Sequence, residues 1–178
     1  MEDRFSGDVI GTTTVNRFED KISVQVNTSN LIPSHVYNLY AVTVDRPDNC
    51  LTTPCTGQDW DNLESSIRVV FFYMTGWVAA GETHSYGNNI NENDVTTFEL
   101  WQGPSNDDFG GLQDALNAEV HIYIRSRGPV GGSGEEQLET VDGGCTTSYN
   151  FSHPEPKVPS EPGECAWVQQ SIHLPPPD

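Results

Sequence analysis

Residues 116–129 read LNAEVHIYIRSRGP and alternate strictly. Ala118, Val120, Ile122 and Ile124 project to one side, and Glu119, His121, Tyr123, Arg125 and Arg127 to the other. A period of two is the mark of a β-strand, and the aliphatic side predicts a core-facing surface. Gly128-Pro129 ends the pattern. The same period recurs along the chain. Residues 7–15 and 21–27 form two strands about a short turn; in the second, Ile22, Val24 and Val26 alternate with polar positions. Residues 36–45 are apolar or aromatic on both faces, which predicts a central strand. Residues 67–80 (IRVVFFYMTGWVAA) are the most hydrophobic run, and Gly76 marks a bulge or bend. Residues 95–101, a weak edge segment at 136–141 and residues 166–174 complete the set.

Between them lie segments without periodicity. Residues 46–60 and 145–164 read as long loops, and 81–93 as a polar Asn- and Gly-rich loop. Short helical turns are expected at 59–66, with Asp59 as a cap, and at 112–117. The sum is an all-β, antiparallel β-sandwich of Ig-like or jelly-roll-like type, with about eight or nine strands. It forms one domain over 1–174, followed by an extended Pro-rich tail at 175–178. No internal repeat is visible.

Charge narrows the partners. The chain carries 26 acids against 8 bases, a net charge of −18. Such a field repels nucleic acid and anionic membrane and favours divalent cations or a cationic partner. No apolar run approaches the roughly 20 residues of a membrane span. The first residues, MEDRFSGDV, lack the basic start and apolar core of a signal peptide.

The four cysteines, Cys50, Cys55, Cys145 and Cys165, allow three pairings. Cys50–Cys55 and Cys145–Cys165 are expected, since each closes a loop of turn composition. The spacings match no zinc framework, and disulfides place the chain in an oxidising, extracellular compartment.

Several stretches together resemble a family of uncharacterised secreted bacterial proteins. They are Leu31-Ile32-Pro33-Ser34-His35-Val36-Tyr37, the pair Cys50 and Cys55 after Asp48-Asn49, and Gly76-Trp77-Val78 with Gly81. They continue with Ala118-Glu119-Val120-His121-Ile122, Arg125-Ser126, Gly128-Pro129, Glu136-Gln137-Leu138, Gly143-Gly144-Cys145 and His173-Leu174-Pro175. The resemblance implies secretion, disulfides and a β-rich fold, and no activity. Family members carry a histidine between the Ser and Gly of the central strand; Arg127 stands there in this chain, so any role of that histidine does not carry over. The L-x-P-x-x-x-Y opening is also similar, over a short match, to secreted domains of the CHRD type.

Four kinds of chemistry have candidate residues. Glu119, His121 and Arg125 share one face of one strand, along which next-but-one residues lie about 6–7 Å apart. There a carboxylate can orient an imidazole and a guanidinium can hold an anion; a solvated face or a polar ladder to the next strand explains the same pattern. His121 and His173 would meet if their strands pair, and with His84 would make a copper or zinc site. The acidic loops, above all Asp59 with Asp61 and Asp107 with Asp108, offer the oxygens calcium requires, although none follows the EF-hand pattern and turn chemistry also favours Asp and Asn there. Trp60, Trp77, Trp101 and Trp167 would make a sugar-stacking platform if exposed. Serine hydrolysis and phosphate binding lack motifs: there is no GxSxG, and Gly131-Gly132-Ser133-Gly134 lacks the following Lys.

These observations lead to a secreted, non-catalytic extracellular binding or structural module with calcium-stabilised loops. A metal- or carboxylate-dependent enzyme working at Glu119, His121 and Arg125 is the first alternative, and a carbohydrate-binding module the second. Self-association through the 136–141 edge is expected.

Overall fold

A computed structural model describes residues 1–60, 67–93, 111–131, 145, 147–149 and 158–177. The protein is all-β and folds as two packed antiparallel sheets. The strands are β1 (Glu2–Asp3), β2 (Gly11–Arg17), β3 (Lys21–Thr28), β4 (His35–Asp45), β5 (Arg68–Val78), β6 (His84–Asn91), β7 (Glu119–Pro129), β8 (Thr147–Tyr149) and β9 (Glu164–His173). The larger sheet runs β1-β9-β7-β4-β5, with the short β8 parallel to β9. The smaller runs β2-β3-β6. A 3-10 turn at Pro47–Asn49 and one α-helical turn, α1 (Gly57–Trp60), sit in the loop after β4.

The main core lies between the sheets. Ile22, Val24 and Val26 from β3 meet Leu39 and Ala41 from β4 and Val120, Ile122 and Ile124 from β7, all at most 3% exposed. Burying an aliphatic side chain of this size contributes roughly 1.5–3 kcal/mol. The opposite face of the larger sheet is covered as well. Tyr40, Val42, Phe71 and Tyr123 form a second cluster there, with Trp60, Val69, Tyr73 and Trp167 against it. That double cover is why β4 is buried at every position and why its sequence is apolar on both faces.

Several sequence expectations are corrected. Residues 84–91, read as loop, are β6. Its partner β3 supplies most of the apolar contact, so only Tyr86 and Ile90 of β6 face the core, too sparse a pattern to register as a strand. The irregularity in β5 falls at Met74, which has no partner between Tyr73↔Tyr40 and Thr75↔Leu39; Gly76 pairs regularly with Asn38. Residues 115–117 form a turn and not a helix. Asp59 lies inside α1 and not before it. The expected strands 95–101 and 136–141 lie outside the described residues.

Two local constraints fix how β7 and β4 end. Gly128 has φ +74°, and a Cβ there would stand 2.2 Å from the Glu161 carbonyl oxygen, so only glycine lets the turn approach that backbone. At the end of β4, Asp45 is buried and accepts a hydrogen bond from Gln113 N at 3.2 Å. Its other oxygen is buried without a partner among the described residues. Burial pushes its carboxyl up to about 6, outweighing the backbone amides of Gln113 and Asp114 and the charge of Arg68.

The raised value sets a sign. A carboxyl protonated more readily in the folded state than in the unfolded chain costs stability as it ionises, so the cost is absent below pH 3.8, grows as pH rises to about 6 and is constant above that. Asp45→Asn removes that dependence. Relative to wild type, the variant should gain up to about 2–3 kcal/mol between pH 4 and 7. Urea unfolding at both pH values reads the difference; one that stays constant with pH excludes Asp45 as the titrating group.

Candidate functional site

Among the described residues the polar side of β7 is the richest concentration of chemistry, and the fold buries it. Glu119, His121, Arg125 and Arg127 are each at most 2% exposed. The strand lies between β4 and β9, so one face joins the inter-sheet core and the other points into the second layer. The expectation of a solvated face or a simple ladder is therefore replaced by a sealed polar layer beneath loops.

At one end, His121 Nε2 donates to Glu119 Oε1 at 2.5 Å. The same oxygen accepts from Cys55 N at 2.8 Å, which ties the Cys50–Cys55 loop to the sheet. His121 Nδ1 meets the Tyr123 hydroxyl at 3.1 Å. Burial holds the Tyr123 phenol well above its usual value, so it stays protonated. Trp60 closes this end, its ring edge-on to His121 with centroids 5.3 Å apart.

At the other end, Arg127 Nε donates to Asn38 Oδ1 at 2.5 Å and Nη2 to Tyr40 Oη at 3.0 Å, while Nη1 lies 2.8 Å from Cys145 Sγ. The Cys145–Cys165 disulfide thus sits on a guanidinium. Between the two ends, Trp167 covers Arg125, 5.0 Å from the guanidinium carbon, and packs edge-on to Tyr40 and Tyr123. Both disulfides pair as the loop lengths predict.

The three histidines do not assemble. β7 and β9 pair, yet His173 stands opposite Val120, on the inter-sheet face, and His121 stands opposite Ile172. The cause is a bulge at Val168, which has no partner between Trp167↔Arg125 and Gln169↔Ile124. One extra residue reverses the phase of every side chain beyond it. His84 is elsewhere, stacked on Trp77 at 4.2 Å. Of the tryptophans, Trp60, Trp77 and Trp167 are each partly buried in aromatic clusters, and Trp101 lies outside the described residues.

Of Asp59, Asp61, Asp107 and Asp108, Asp59 lies within the described residues. Its carboxylate accepts from Leu51 N at 2.6 Å, Thr56 N at 2.7 Å and the Thr52 and Thr56 hydroxyls at 3.0 Å. Burial would raise its carboxyl, but these donors prevail and hold it below the usual range. Asp59 organises the disulfide loop from within. Asp61, Asp107 and Asp108 lie outside the described residues, and among those described no three His, Cys, Asp or Glu side chains are grouped to hold a metal.

Sequence reasoning missed the polar staple between the sheets. Thr13 Oγ1 lies 2.6 Å from both Ser171 Oγ and His173 Nε2. Thr28 Oγ1 bonds Gln169 Oε1, and Gln169 Nε2 donates to Ser29 O at 3.0 Å. Burial, helped by the Arg17 charge, lowers the His173 pKa. Only the phase reversal at Val168 turns Gln169, Ser171 and His173 inward, so no local pattern on β9 announces them.

Fold and site together define a disulfide-stapled, all-β two-sheet domain of a kind that fits an extracellular protein, and no helix among the described residues is long and apolar enough to cross a membrane. No known protein family, curated protein or solved structure matches the chain.

Proposed function

We propose that this protein is a secreted, non-catalytic extracellular binding or structural module. The observation that carries the reading is the closure of the β7 polar layer. Glu119 and His121 are each 1% exposed, and their polar atoms bond to one another, to Tyr123 and to Cys55 N. A general acid or base must reach its substrate. These groups instead anchor a disulfide loop, a structural task in which satisfied buried polar groups define one packing. The two disulfides support secretion.

Diethylpyrocarbonate labelling of the native protein tests this. His84 is partly exposed and should label readily, with His121 protected until unfolding. Labelling of His121 as fast as His84 would mean an open site and return the reading to an enzyme. The calcium component rests on the acidic loops; elemental analysis and a melt with and without chelator decide it, and no metal together with no shift removes it.

A further inference from the structure

The smaller sheet differs from the rest of the chain in charge. The protein carries 26 acids, yet β2 (GTTTVNR), β3 (KISVQVNT) and β6 (HSYGNNIN) contain none. Their ionic side chains are Arg17 and Lys21. The outward face is an array of hydroxyls and amides: Thr12, Asn27 and Ser85 in one row, Thr14 and Gln25 beside Gly87, and Asn16, Ser23 and Asn89 in the next.

β2 is the end strand of this sheet. Ser29 N donates to Ile10 O and Phe18 N to Lys21 O, both at 2.9 Å. Even-numbered residues therefore direct their backbone groups at β3, and by alternation Thr13, Val15 and Arg17 direct theirs away from it. Among the described residues these outward amides have no backbone partner. An edge of this kind is commonly protected by a Pro, a bulge, a Lys or an inward charge. β2 has no Pro and pairs with β3 without a register shift; Met1 N reaches Gly11 O at its start and Arg17 at its end turns inward to the carbonyls of Ala118, His173 and Leu174, so the open stretch is residues 12–16. Its Thr and Val content favours pairing.

We infer that β2 is the self-association edge of this protein, pairing antiparallel with β2 of a second copy about a two-fold axis at Thr14. Three observations select a second copy. At −18, two copies repel over an acidic surface, and this acid-free sheet lets them approach. A cationic partner would be drawn to the acidic surface instead. The strand is also self-complementary: with Thr14 opposite itself, Thr12 meets Asn16, Thr13 meets Val15 and Gly11 meets Arg17, so no like charges oppose. In that register Thr13 and Val15, whose groups face outward, form the hydrogen-bonded pair.

The flanks fit the same geometry. Val9, just before β2, is 77% exposed. A groove of about 460 Å³ lined by Val15, Phe18, Leu174 and Pro176 runs beside the far end of the strand. The two-fold brings Val9 of each copy to the Phe18 end of the other, and with it Asp8 toward Glu19 and Asp20, a repulsion at the flanks that salt must screen. The result is a closed, isologous dimer with a continuous sheet of twice the strands.

This inference rests on the module reading by naming its partner, and the two fail separately: a monomer leaves the histidine-labelling result untouched. Sedimentation velocity should give a species of twice 19.6 kDa, strengthening from low to moderate salt as repulsion is screened. Thr14→Glu places carboxylates opposite one another at the axis and should weaken association at least tenfold with the far-UV spectrum unchanged. Thr14→Cys should cross-link copies on mild oxidation, and Thr12→Cys should not. A monomer at every salt and concentration overturns the proposal. So does a dimer indifferent to Thr14→Glu, or cross-linking through Thr12→Cys as efficient as through Thr14→Cys.

Discussion

Arg127→Leu should lower unfolding stability by about 2–4 kcal/mol, the loss expected when a buried donor to two neutral acceptors is removed. The arginine is fully buried in the larger sheet and bonds Asn38 and Tyr40 beneath the Cys145–Cys165 disulfide. Leucine fills part of the volume but leaves the Asn38 carbonyl and the Tyr40 hydroxyl without that donor. Each buried polar group left unsatisfied costs roughly 1–3 kcal/mol. Arg127→His should recover part of the loss, since an imidazole reaches one acceptor but not both. Urea unfolding with both disulfides oxidised reads all three proteins. A loss below about 1 kcal/mol for the leucine variant would show that the network relaxes around the gap.

Glu119→Ala has a comparable expected cost, about 3 kcal/mol or more, and a more local signature. It removes the acceptor for His121 Nε2 and for Cys55 N together, so the Cys50–Cys55 loop loses its attachment to β7 while its disulfide stays intact. Glu119→Gln retains a carbonyl acceptor and should lose less than half as much. Amide exchange separates the effects: the Cys55 N–H should be protected in wild type, weakly protected in the glutamine variant and exposed in the alanine variant. Protection of Cys55 unchanged by alanine would mean that Trp60 and the aromatic cluster hold the loop without the carboxylate.

Most of the strand layout was legible because burial on one face writes a period of two. Val120, Ile122 and Ile124 on β7 and Ile22, Val24 and Val26 on β3 show it plainly. β4 was legible as central because both of its faces are apolar. β6 was not, since a strand flanking a small sheet needs few apolar residues. On β7, which residues share the polar side was legible, but their surroundings were not. Alternation states that Glu119, His121 and Arg125 share a face; it does not state whether that face meets water or a loop bearing Trp60 and Cys55.

The sequence by itself determined the all-β class, the central strand and the common face of Glu119, His121, Tyr123, Arg125 and Arg127, and it favoured the two disulfide pairings that the structure shows. These follow from local rules of periodicity and loop closure. Only the tertiary structure decided that this face is sealed and that His173 turns away from His121. The first depends on contacts between segments more than 60 residues apart, such as Cys55 with Glu119. The second depends on one unpaired residue, Val168, which shifts the phase of β9. A period of two specifies that neighbours oppose each other, and one bulge is enough to exchange which side is which.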